Sequence, residues 1–198
     1  IATMRSRRLL DGQVEVWFRP GPDEVMLGPL EEVLAKALPG LQSTFGSAGS
    51  GPIRLHIYSK VKQLGLVSGL TESQIESSGT IALCKYNRLM MTSPSALMFG
   101  YHWADTVVHE LAHYLLIKNA GVQVPVWLHE GLARSFEAQW RGRSPLTMDD
   151  TEKQILVFAA KRGRFISFSR MSPTMAKLPT QQITQLAFAE VHHATAML

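Results

Sequence analysis

His109-Glu110-Leu111-Ala112-His113 is the stretch of this 198-residue chain whose residue types and spacing can do chemistry. On a helix, residues four apart lie on one face, a single turn apart. Both imidazoles can therefore address one metal ion. Glu110 is rotated about 100° from His109, so it can flank the ion without binding it. Two neutral nitrogen ligands and a nearby carboxylate are what a metal-activated water requires, since the carboxylate takes the water's proton. The set is incomplete, because a catalytic zinc takes three protein ligands and keeps a fourth position open. A histidine six residues after His113 would complete one such arrangement, but Asn119 stands there.

Further along lies Pro125-Val126-Trp127-Leu128-His129-Glu130-Gly131-Leu132-Ala133, with sixteen residues between His113 and Glu130. That is room to finish one helix, turn through 120–125 and start a second helix back along the first. Glu130 falls in the first turns of the second helix, and Gly131 and Ala133 allow close helix–helix approach. A carboxylate there can complete a His-His-Glu set. His129 competes for the role, and neighbours on a helix point about 100° apart, so both cannot reach one ion from the same face. Asp105, one turn before His109, is a candidate to accept a ligand histidine's second N–H and fix its tautomer. It equally suits an acidic first turn. Glu137 reads as a surface salt-bridge residue.

These residues need elements to hold them. Val14–Phe18 is a short β-rich run, and Ile53–Tyr58 alternates strictly, with His56 on its polar side. Residues 79–84 and 89–92 predict two adjacent strands joined by a turn. Met26, Leu27, Leu30, Val33, Leu34, Ala37 and Leu38 recur at helical spacing over 23–38, with Asp23 as N-cap and Pro39-Gly40 as the stop. After Pro94 the chain turns helical, with helices expected over 102–119, 126–140, 147–162 and 180–198; Thr147-Met148-Asp149-Asp150 resembles a capping start. The order is a mixed β/α lobe (1–100) followed by a helical lobe (101–198), an α+β arrangement within a single domain, 1–198.

Composition excludes several classes. With 45% hydrophobic and 18% charged residues the chain is not disordered. No apolar stretch approaches the roughly 20 residues of a spanning helix, so no membrane span is expected. The net charge is +4 and the pI about 9.4. The basic residues are scattered, and the densest cluster, Lys161-Arg162-Arg164, reads as a solvated helix end, so no nucleic-acid role is expected. Cys84 is the single cysteine, which rules out an internal disulfide and leaves the compartment open. The chain opens at Ile1 and not at Met, as a piece of a longer protein would.

The pairing of His109-Glu110-x-x-His113 with Trp127-Leu128-x-Glu130-Gly131-x-Ala133 resembles the gluzincin zinc metallopeptidases, and most of all the small bacterial peptidase-MA-like domains. The two-part motif covers about 25 residues, and over 1–100 the likeness is in element order alone. The resemblance implies a zincin-like α+β fold whose helical lobe carries the metal site. It implies one zinc ion held by His109, His113 and Glu130, Glu110 as general base, and a peptide or protein substrate. An extended peptide would lie along an edge strand, for which 80–92 is the candidate. Such domains are often attached to tetratricopeptide repeats, which would lie upstream here, and the compartment stays open between cytoplasm and bacterial cell envelope. Large gluzincin aminopeptidases use a tyrosine on a later helix to meet the developing oxyanion. Phe188 occupies the corresponding slot in Leu186-Ala187-Phe188-Ala189-Glu190-Val191-His192-His193, which leaves His192 and His193 as substitutes. That departure keeps a second reading open: a degenerate or metal-stabilised module that binds a protein partner without turnover.

Overall fold

The computed structural model describes residues 4–121 and 123–198. Strands β1 (Arg5–Leu9) and β2 (Val14–Phe18) form an antiparallel pair. Helix α1 (Leu27–Phe45) crosses over to β3 (Ile53–Tyr58), which runs parallel to β2. Two short helices, α2 (Val61–Ser68) and α3 (Glu72–Ser78), lead to the hairpin β4 (Ala82–Lys85) and β5 (Arg88–Thr92). β5 returns parallel to β3, so the sheet order is β1-β2-β3-β5-β4, a parallel centre with antiparallel edges. Tyr86 and Asn87 turn the hairpin with φ of +55° and +57°, as a two-residue turn matched to strand twist requires.

Period-two alternation decides which sheet face is buried. Val14, Val16, Phe18, Ile53, Leu55, Ile57, Leu89 and Met91 join Leu30, Leu34, Leu41, Leu111 and Leu115 in the main core. The opposite face is lightly covered, by Leu64 on Tyr58 and Met90. There His56 stacks on Trp17 with ring centroids 5.8 Å apart. Burial, and then Arg88 and Arg54, lower the His56 pKa to about 4. An unfolded histidine takes its proton near pH 6.5 and folded His56 near 4, so its contribution is full above 6.5 and is lost as pH falls through that window. Urea midpoints are therefore expected to drop more between about pH 7 and pH 5 in the parent than in His56→Gln. Equal drops would refute this.

The helical part comprises α4 (Trp103–Ala120), α5 (Val126–Phe136), α6 (Asp150–Arg162) and α7 (Gln181–Ala196). Residues 107–116 of α4 are buried without interruption, so the middle of this helix is enclosed on all sides. The loop after α6 packs Ile166, Met171, Met175 and Leu178 on Ala187 and Val191 of α7. No described helix is long and apolar enough to cross a membrane. The α+β architecture, a sheet-bearing first part and a helical second part, is the expected one.

Several boundaries differ from expectation for physical reasons. Helix α1 runs through Pro39 and Gly40 to Phe45. The bond that proline forfeits lies on an exposed side, whereas Leu41 continues the buried stripe and Phe45 meets Phe136 edge-on at 4.9 Å. Burying Leu41 alone is worth about 2 kcal/mol, enough with the aromatic pair to offset a proline cost of about 3 kcal/mol. Asp23 is no helix cap. It is buried and accepts hydrogen bonds from Ser93 (2.5 Å) and Ser59 (3.4 Å), tying the entry of α1 to the end of β5. Helix α5 stops at Phe136 rather than 140, and a separate turn at 139–141 follows. Helix α6 starts at Asp150, where Asp149 caps it in a reciprocal box with Glu152. The strand expected from 79 begins at Ala82, because Gly79 ends α3 with φ of +72°.

Candidate metal centre

Helix α4 carries His109 and His113 on one face, and α5 packs back along it with Glu130 opposite. Nε2 of His109 and Nε2 of His113 lie 3.0 Å apart, and Oε2 of Glu130 lies 3.3 and 3.2 Å from them. These three side chains form a group that can hold a metal ion. Ligand atoms about 2.0 Å from a tetrahedral ion stand about 3.3 Å from one another, so the observed triangle needs to open by a few tenths of an ångström at most. The donor chemistry, two imidazoles and one carboxylate, suits zinc.

Electrostatics agree with a cation site. Burial opposes charge on His109, but the hydrogen bonds to Glu130 and Glu137 outweigh it and raise its pKa to about 10. Burial pushes the Glu130 carboxyl up, and His113 and His109 overcome this to hold it well below the usual carboxylate range. Glu110 is buried, its carboxyl pushed up by burial against the pull of His113 and His109. Its Oε2 has no hydrogen-bond partner, a rare state for a buried oxygen. Burial and the nearby Glu110 push the Cys84 thiol up, and Cys84 lies outside the group that can hold the ion.

All these groups line one cavity of about 1590 Å³, whose walls include Cys84 and Lys85 of β4, Tyr101, Phe188 and His192. The Tyr101 hydroxyl donates to the carbonyl of Thr92. Phe188 lies edge-on to His109 at 5.9 Å.

The second contacts of the histidines depart from expectation. Nδ1 of His109 meets Oε2 of Glu137 at 3.0 Å, so Glu137 and not Asp105 fixes this ring. Asp105 instead accepts from Trp140 Nε1 (2.7 Å) and Arg141 (2.8 Å), both on the turn after α5. Glu137, read as a surface salt-bridge residue, is mostly buried. Nδ1 of His113 faces Nδ1 of His129, whose ring stacks on it at 4.5 Å between centroids. His129 thus lines the cavity beside the triad without belonging to it. His192 is buried at the cavity wall, with Nδ1 on Glu152 at 3.1 Å, whereas His193, the next residue round α7, is exposed and lines no part of it. Arg134 and Glu152 were not singled out from the sequence. Both enter the site through side-chain bonds across helices, and only the capping box of Glu152 carries a local signal.

No curated protein and no solved structure matches the chain. A family model, that of the Peptidase MA superfamily, matches residues 34–194 and so takes in β3, β4 and β5, all of α4 and α5, and most of α7. With that span and a His-His-Glu group at its centre, the chain belongs to the Peptidase MA superfamily.

Proposed function

We propose that the protein is a zinc-dependent peptidase of gluzincin type, in which His109, His113 and Glu130 hold one zinc ion and Glu110 is the general base. The observation that carries this reading is the convergence of three ligand atoms within 3.0–3.3 Å, beside a buried carboxylate whose Oε2 has no partner. A zinc ion in that set supplies Lewis acidity and an acidified water at neutral pH. Glu110 takes the proton of the attacking water on Oε2 and passes it to the leaving amine as the carbon–nitrogen bond breaks. Glu137 orients His109, keeping Nε2 for the ion.

The substrate is an extended peptide. Among the described residues β4 pairs only with β5, so no strand covers its outer edge, where the Cys84 backbone bonds the Glu110 carboxylate, and Ala82–Lys85 lines the cavity. Main-chain pairing along such an edge holds a peptide with little regard for its sequence.

A second reading, a metal-stabilised module that binds a protein partner without turnover, draws on Phe188 and on the engaged hydroxyl of Tyr101. Metal analysis with a peptide library separates the two. One zinc per chain is expected, with cleavage abolished by a chelator and restored by zinc. Chelation is also expected to lower the melting temperature, because an ion at a thousand times its Kd stabilises the fold by about 4 kcal/mol. A zinc-loaded sample that cleaves nothing would establish the second reading, and a sample purified without metal or zinc affinity would overturn both.

A further inference from the structure

The chain concentrates its positive charge in one segment. From Lys153 to Ala189 stand Lys153, Lys161, Arg162, Arg164, Arg170 and Lys177 and no Asp or Glu, so more than the formal +4 of the whole chain lies here and the remainder is net acidic. Lys153 pairs with Asp150 at 3.2 Å, whereas among the described residues Lys161, Arg162, Arg164 and Arg170 make no ion pair. Exposed apolar side chains stand among these cations: Val157 is 53%, Phe158 58% and Phe165 59% exposed. On α6, Val157 and Phe158 precede Lys161 and Arg162 by four residues, so each apolar side chain shares a face with a cation one turn on.

A fixed backbone imposes this exposure. Gly163 ends α6 with φ of +60°, and the N–H of Arg164 donates back to the Ala159 carbonyl at 3.0 Å, which folds the following residues against the helix end. Ile166 is buried, with its N–H donating to the Glu190 carboxylate at 3.0 Å, so Phe165 stands outside directly before an anchored residue. Phe158 likewise precedes the buried Ala159, and the Arg162 guanidinium lies over its ring, 3.5 Å from the centroid. Apolar surface held outward and rimmed by charge marks an interaction site.

We propose that the end of α6 and the turn after it, residues 157–165, dock on an anionic bilayer surface. Phe158 and Phe165 enter the headgroup layer, and Lys161, Arg162 and Arg164 meet the lipid phosphates. The contact is peripheral, since no described helix can cross a membrane. Charge complementarity selects this occupant. A second copy would set the same cations against one another, and like charges across an interface are costly. A nucleic-acid strand complements the charge but stacks its bases on open ring faces. Phe158 gives one face to Arg162, and Phe168, three residues past Phe165, gives one to Trp127 at 4.8 Å. The headgroup boundary takes apolar groups without directional demands, and Lys and Arg stems lie along it with their charges at the phosphates. Docking is independent of the peptidase reading, since none of residues 157–165 lines the cavity.

Sedimentation of the whole chain with vesicles of phosphatidylcholine, alone or mixed with phosphatidylglycerol, tests this. The parent is expected to bind the mixed vesicles and not the neutral ones, and to be released as salt screens the charges. Lys161→Gln with Arg164→Gln is expected to weaken binding roughly 25-fold, about fivefold for each charge removed near the surface. Phe158→Ser with Phe165→Ser is expected to weaken it at least about tenfold, because two rings no longer leave water. Both double variants should melt as the parent does, since the replaced side chains are exposed. Phe165→Trp adds a reporter of insertion. On mixed vesicles its emission should move to the blue and be quenched by brominated acyl chains, beyond any change in the parent. A parent that ignores anionic vesicles at low salt would overturn the proposal, as would a double Phe variant that binds them equally well. A single-stranded oligonucleotide held through the same side chains more tightly than the vesicles would overturn it too, and so would a parent dimer that the Phe replacements split.

Discussion

Glu110→Gln is expected to keep its zinc and to lose peptide hydrolysis by roughly 10²–10⁴-fold, the range that general base catalysis supplies. Glutamine has nearly the shape of glutamate and keeps an acceptor oxygen, so packing between α4 and β4 is preserved. Glu110 stands outside the group that can hold the ion, and its removal leaves His109, His113 and Glu130 untouched. What disappears is the ability to accept a proton. Stability should move the other way. Burial raises the Glu110 pKa above its unfolded value, so in chelator-treated protein this carboxylate favours folding only when protonated, and the benefit is lost as pH rises. Replacing it is expected to raise the urea midpoint at neutral pH, with the gain vanishing below about pH 4. A variant more stable yet inactive is the signature of a group kept for chemistry at the expense of the fold. Atomic absorption, peptide turnover and urea titration check the three statements. Turnover at the parent rate with zinc bound would remove Glu110 from the mechanism.

The parts of this site legible in the sequence are those set by local geometry. The i, i+4 spacing of His109 and His113 needs only a helix, and the distance to Glu130 needs only a turn and a second helix. The pairings that no local rule gives are those chosen by tertiary packing. Asp105 and Glu137 are both acidic and both near His109 in plausible folds. The choice is made where α5 ends at Phe136 and the next turn delivers Trp140 and Arg141 to Asp105, leaving Glu137 for the imidazole. Arg134, Glu152 and His192 lie on three helices, and no spacing rule connects them.

The fold divides the same way. β2, β3 and the β4–β5 hairpin declare themselves by alternation and turn chemistry. β1, Arg-Ser-Arg-Arg-Leu, does not, because an edge strand whose only buried side chain is Leu9 has no apolar face to show. Pro39 misleads because the cost of a proline is local, whereas the gain from Leu41 and Phe45 depends on what α1 packs against.

Gly131→Ala is expected to damage both stability and zinc binding, although alanine is the better helix former by about 1 kcal/mol. The backbone at Gly131 is ordinary helix, so the constraint is space and not conformation. A Cβ there would collide with Oγ1 of Thr195 and stand 2.5 Å from the carbonyl oxygen of Val191, both on α7. Thr195 cannot easily step aside: it is buried, and its hydroxyl donates to that same carbonyl at 2.8 Å. Even with Thr195 gone, the backbone oxygen remains, so α5 must retreat from α7 by about an ångström to regain an ordinary contact. Overpacking of this kind costs about 1–3 kcal/mol, more than the propensity gain returns. Glu130 is the adjacent residue and moves with the backbone, and ligand sites tolerate errors of only about 0.5 Å. Zinc affinity is therefore expected to fall at least about tenfold. His192 would lose its register against the site as well, since α7 presents it one residue after the Val191 carbonyl. Adding Thr195→Ala should recover part of the denaturant midpoint and little of the zinc affinity, because it frees the hydroxyl contact and leaves the carbonyl one. Parent-like midpoint and affinity in Gly131→Ala would mean that α5 and α7 do not meet at this closeness, and the placement of Glu130 would have to be redrawn.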